Sequence, residues 1–236
     1  MTISGGVTIM TECFTLDAGA TITGVGNGYQ SNFPPYGPGA GTAVFSFAAW
    51  PISGGGGHGG AGATDHDLNC MLAAGGAAND DPVHPSLMGS AAEPDCGGPT
   101  SGGGGALLRV IVYDPVANVL TGPSTIMGTI DMSGLHGNCG LSYGDGGGAG
   151  GTIFIESNII AGSGALTANG ASFSGSSGGG GGGGIVSLIE NLTAFSGTIS
   201  VLGGGGAANG TVGCTPPSTT GSNGIVTFTA APSSGY

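Results

Sequence analysis

Apolar residues in this chain fall in short β-branched runs, each entered from a stretch of glycine. Gly146 to Gly151 lead into Thr152-Ile153-Phe154-Ile155, and the seven glycines Gly178 to Gly184 lead into Ile185-Val186-Ser187-Leu188, 33 residues further on. A second run follows each first one: Ala165-Leu166-Thr167 and Thr198-Ile199-Ser200 are again 33 residues apart. Upstream, Gly102 to Gly105 precede Ala106-Leu107-Leu108-Arg109-Val110, and Thr129-Ile130-Asp131 is the second run. Half-copies stand at Thr21-Ile22-Thr23 and Ile225-Val226-Thr227-Phe228.

Side chains of a strand alternate between its two faces. The alignment therefore puts Leu108, Ile153, Val186 and Val226 in one inward column and Val110, Ile155, Leu188 and Phe228 in the next. Arg109, Phe154, Ser187 and Thr227 fall between them, on the outward face. In the second run Ile22, Ile130, Leu166 and Ile199 point inward, and Thr23, Asp131, Thr167 and Ser200 point out. Columns that stay apolar in every copy are what stacked rungs need, and a fixed period of this size is the mark of a solenoid. Helical periodicity is weak throughout. The expected fold is all-β: a glycine-rich β-solenoid, parallel β-helix-like, with almost no helix. It is a single elongated domain over 1–236, with 27–101 as a large Gly/Pro-rich loop insertion. The glycine runs leave two alternatives: stacked polyproline-II-like segments, whose backbones approach closely for want of side chains, or flexible linkers.

Composition narrows the function classes. Glycine supplies 57 of 236 residues, and charged residues only 6%. Disordered chains pair low hydrophobicity with high charge; here 39% of residues are apolar, so an ordered fold is expected. The net charge is −12, and Arg109 is the single Lys or Arg. Nucleic-acid binding needs several cations on phosphates, which excludes that class and disfavours anionic lipid. No apolar run reaches the ~18 residues of a membrane-spanning helix, so no membrane insertion is expected. The first residues lack the basic and apolar regions of a signal peptide, yet scarce lysine, five cysteines and Asn-x-Thr sequons at Asn191 and Asn209 point outside the cytoplasm. A start inside a longer precursor, or a virion protein, reconciles the two. The odd cysteine count leaves one thiol free or paired between chains, with Cys70–Cys96 the preferred local disulfide.

Chemistry-bearing residues are few. The densest polar cluster, His58, Asp65, His66 and Asp67, is a weak metal candidate that matches no established ligand spacing. Glu156 and Glu190 end corresponding strands and are considered as a carboxylate pair, against solvated strand ends. Arg109 is expected to face outward and pair with a nearby acid. No nucleophile elbow or phosphate loop is present, and no catalytic residue or cofactor is assigned. The aromatic stretch with Tyr29, Phe33, Tyr36 and Trp50 is the candidate contact surface.

Leu16-Asp17-Ala18-Gly19-Ala20-Thr21-Ile22-Thr23-Gly24, the run Gly54 to Gly62, the glycine-to-strand junctions and Leu166-Thr167-Ala168-Asn169-Gly170 carry a resemblance. In them most of the chain resembles a broad group of glycine-rich, β-helix-like repeat proteins of cell surfaces and large secreted polypeptides. The resemblance implies architecture and a surface location, with no shared catalytic motif to carry over. The expectation is an extracellular structural protein, a self-assembling subunit of a surface fibre or coat, whose partner is itself. The alternatives are an adhesin or carbohydrate-binding module with glycan partners and, behind both, a carbohydrate-active enzyme.

Overall fold

The computed structural model describes residues 1–31, 36–44, 52–66, 71–93, 102–114, 120, 122–137, 146–173, 178–206 and 220–231. Phe33, Trp50, Asp67, Cys70, Cys96 and Asn209 lie outside the described residues. The Cys70–Cys96 pairing and half of the aromatic surface therefore lie outside them too.

Seventeen strands and no helix occur among the described residues. The chain opens with β1 (Gly6–Thr11), β2 (Phe14–Leu16) and β3 (Thr21–Thr23). Four two-residue strands follow: β4 (Ala43–Val44), β5 (Ile52–Ser53), β6 (Asp65–His66) and β7 (Leu72–Ala73). The triplet then recurs as β8 (Leu107–Val112), β9 (Pro123–Ile126) and β10 (Thr129–Asp131), then as β11 (Thr152–Glu156), β12 (Ile159–Gly162) and β13 (Ala165–Thr167). It recurs once more as β14 (Ile185–Glu190), β15 (Leu192–Phe195) and β16 (Thr198–Ser200), before β17 (Ile225–Ala230) ends the series.

Each member of a triplet pairs in parallel with its counterpart in the next. The result is three open parallel sheets, in the orders β1-β8-β11-β14-β17, β2-β9-β12-β15 and β3-β10-β13-β16. β4 with β5 and β6 with β7 form small antiparallel ribbons. The alignment foresaw two strands per copy; there are three. The missed set includes Pro123-Ser124-Thr125-Ile126 and Ile159-Ile160-Ala161-Gly162, which are too short and too mixed for the alternation to stand out. β1 was missed as well, although Val7 and Ile9 alternate with Thr8 and Met10.

Register in the long sheet runs Val7↔Leu108↔Ile153↔Val186↔Val226 and Ile9↔Val110↔Ile155↔Leu188↔Phe228, which are the two inward columns of the sequence. The β3-β10-β13-β16 sheet aligns Ile22, Ile130, Leu166 and Ile199. Leu108, Val110, Ile153, Ile155, Val186 and Leu188 of the long sheet join Ile22, Ile130 and Leu166, and Leu16, Ile126 and Ile160 of the β2-β9-β12-β15 sheet, in one core, with Val7, Ile9 and Ile199 packed against it. Burying each such side chain is worth roughly 1.5–3 kcal/mol, and the ladder bonds satisfy the backbone around it.

The glycine runs are buried and cross-linked. Successive amides of Gly181, Gly182 and Gly183 donate to the carbonyls of Ala171, Gly56 and Ser222 in three different segments, and Gly184 returns to the first at Ala168. The pattern then repeats at a spacing of three residues. Gly179 donates to Ser53 and accepts from Gly147, just as Gly182 donates to Gly56 and accepts from Gly150. Ala63 and Gly60 likewise donate to Gly180 and Gly183. A period of three is that of polyproline II, which has no bonds within one strand and directs its backbone groups to neighbours all round. Glycine is required because the neighbours leave no room: a methyl at Gly182 would overlap the Gly60 carbonyl. Residues 54–63 and 74–76 of the insertion supply several of these neighbours and are woven into the glycine layer.

Candidate functional site

The outward face of the long sheet departs from expectation. Phe154 and Ser187, placed outward by the alternation, are fully buried. The cover is the segment 80–87. Leu87, Val83 and Pro82 present carbonyls to Thr152 Oγ1 at 2.8 Å, Ser187 Oγ at 2.6 Å and Thr227 Oγ1 at 2.9 Å. The segment thus straps across β11, β14 and β17, and Val83 packs on Phe154, Ile189 and Ala231.

Asp80 organises the strap. Its carboxylate accepts from the amides of Asp81, Ser86 and Leu87 at 2.8–3.2 Å. Its φ of +79° is strained for a non-glycine residue, and these bonds hold it there. Buried His58 donates from Nδ1 to the Gly150 carbonyl at 2.9 Å and faces Asp80 Oδ2 across 3.4 Å from Nε2. Burial alone would raise the Asp80 pKa, but the His58 bond and the three amides outweigh it and hold the carboxyl below its ordinary range. Exposed Asp81 is lowered in the same sense by the amides of Val83 and His84.

Of the metal candidates, His58 is engaged in this latch, whereas Asp65 and His66 lie buried on β6. Among the described residues no three His, Cys, Asp or Glu side chains converge on a common point. Glu156 pairs in register with Ile189, not with Glu190. Glu190 falls on the inward side, where its Oε2 accepts from the Ile160 amide at 3.2 Å. The two glutamates therefore face opposite sides of the sheet and form no carboxylate pair. Tyr29 and Tyr36 are half-buried, fixed through their backbones to Gly89 and Ala91. Asn191 is exposed and donates from Nδ2 to Asn158 Oδ1 at 2.9 Å, so an asparagine pair joins equivalent positions of two copies. Cys13 is exposed with a free thiol.

Two features of the molecule offer contact chemistry. The first is a cavity of about 390 Å³ beside the strap, lined by Met10, His84, Arg109, Ile111, Tyr113, Phe154 and Glu156. Arg109 pairs with no acid there, contrary to the sequence expectation. Its guanidinium lies over the Phe154 ring, 4.8 Å from the centroid, and among the described residues no carboxylate comes within ion-pair distance. Burial raises the Glu156 pKa above its ordinary value, against the opposing charges of His84 and Arg109. The alternation put Arg109, Phe154 and Glu156 on one face, but nothing in the sequence foretold His84 closing over them.

The second is the last rung. Val226 and Phe228 continue the inward columns of the fully buried Val186 and Leu188, yet are 37% and 56% exposed. Leu192 and Leu202, at the ends of the neighbouring sheets, are also exposed.

The chain matches no family model, no curated protein and no solved structure.

Proposed function

We propose that this protein is a glycine-rich β-solenoid acting as an extracellular structural subunit, which assembles head to tail into a surface fibre or coat. One observation carries the reading: core-column residues Val226 and Phe228 are exposed on the terminal strand β17. A buried column that ends in the open asks for another rung. All strands of the long sheet run parallel, with β1 and β17 at opposite ends. A second copy placing β1 on β17 continues the same sheet in the same sense, setting Val7 on Val226 and Ile9 on Phe228. That contact joins two different surfaces, and because the added sheet continues in the same direction it propagates as an open filament rather than a closed ring. The glycine layer supports the same reading, since a network of backbone bonds gives stiffness with few charged groups.

Negative-stain electron microscopy over a range of protein concentrations tests the proposal. Regular fibres or sheets are expected; dispersed single particles at the highest concentration would overturn it. The adhesin alternative draws on the Tyr29–Trp50 aromatic stretch and the resemblance to surface proteins; Phe33 and Trp50 of that stretch lie outside the described residues.

A further inference from the structure

The cavity beside the strap has a chemistry that assembly does not use. Arg109 is the single Lys or Arg of a chain with net charge −12. Among the described residues no carboxylate lies within ion-pair distance of its guanidinium, and a cation set among apolar walls is normally paired. The guanidinium is held over the Phe154 ring, 4.8 Å from its centroid, which restrains the fork that binds a planar carboxylate. The walls beside it, Met10, Ile111 and Phe154, are apolar. A mostly apolar cavity with a few convergent polar groups is the usual form of a small-molecule site.

We propose that this cavity binds a small carboxylate with an apolar body, its carboxylate on the Arg109 guanidinium and its body against Met10, Ile111 and Phe154. The titratable groups facing the ligand are Glu156 from β11, His84 from the strap and Tyr113 beyond β8, with Glu12 lining the adjoining cavity of about 290 Å³. An ionised Glu156 competes with the ligand for Arg109. Once protonated, it becomes a hydrogen-bond donor to the same anion. Its proton affinity is already raised by burial, so binding strengthens on acidification.

Calorimetric titration of the full chain with sodium benzoate, at about pH 7 and about pH 5, tests this, with benzyl alcohol as the uncharged control. Benzoate is expected to bind more tightly at the lower pH, and at least roughly tenfold more tightly than benzyl alcohol, the margin of a charge-assisted bond. Arg109→Gln is expected to remove that margin, with Arg109→Lys falling between. Glu156→Gln is expected to bind more tightly than the parent at pH 7, with a weaker pH dependence. Equal binding of benzoate and benzyl alcohol, or no binding of benzoate at millimolar concentration, would overturn the site without involving any variant. Unchanged benzoate affinity in a folded Arg109→Gln protein would overturn the role of Arg109. A pH dependence that is undiminished in Glu156→Gln but vanishes in His84→Gln would overturn the role of Glu156.

Discussion

At the scale of single residues, steric fit and protonation decide the outcome. A methyl at Gly182 meets the Gly60 carbonyl, and one at Gly55 meets that of Gly180. Both obstacles are backbone and have nowhere to go. Gly182→Ala is therefore expected to destabilise by about 1–3 kcal/mol, the cost of overpacking, whereas in an open linker it would stabilise slightly. Urea denaturation distinguishes the two by sign. Two carboxyls give opposite pH signatures. The folded pKa of Asp80 is depressed, so its contribution is present above the unfolded value and lost as pH falls through the folded one. Asp80→Asn is expected to melt below the parent at neutral pH, with the gap closing in acid. Glu156 is raised, so its contribution is present below the unfolded value and lost as pH rises through the folded one. Glu156→Gln is expected to melt above the parent at neutral pH and level with it in acid. Thermal melts across the acid range check both.

At the scale of elements, the inward columns were legible because period two and a constant offset reinforce each other. Ile153, Val186, Leu166 and Ile130 fall where the alignment puts them. The outward column misled, because alternation reports which face a side chain takes and not what covers that face. Ser187 is a polar residue on a solvent-like position, yet it is fully buried, bonded to Val83 104 residues away in sequence. The middle strand of each triplet stayed hidden because Ile159 to Gly162 carries too few alternations to separate from a turn. The glycine runs were ambiguous for a related reason. Without side chains they have no pattern, and only their hydrogen-bond partners distinguish a lattice from a linker. Hydrogen exchange at Gly181 to Gly184 is expected to be as slow as in β11, since their amides are buried and bonded. Exchange at the rate of free peptide would contradict the lattice. Ile153→Ala, in the centre of the shared core, is expected to cost about 2–5 kcal/mol by urea denaturation.

At the scale of the whole molecule, an open parallel sheet has two edges whose backbone groups are free to pair. In the long sheet these edges are β1 and β17, and the proposed assembly uses both. At the two edges of the long sheet, the core-column residues Val7 and Ile9 of β1 are only half-buried and Val226 and Phe228 of β17 are exposed. The net charge of −12 sets copies to repel one another, so assembly is favoured by added salt. Sedimentation velocity over a wide concentration range, with the parent and a Val226→Ser/Phe228→Ser pair of substitutions, tests the central claim most directly. The parent is expected to grow into a ladder of elongated oligomers with concentration and with added salt, while the doubly substituted protein stays a folded monomer. A parent that remains a single monomeric species throughout, or a substituted protein that assembles equally well, would contradict head-to-tail growth through the last rung.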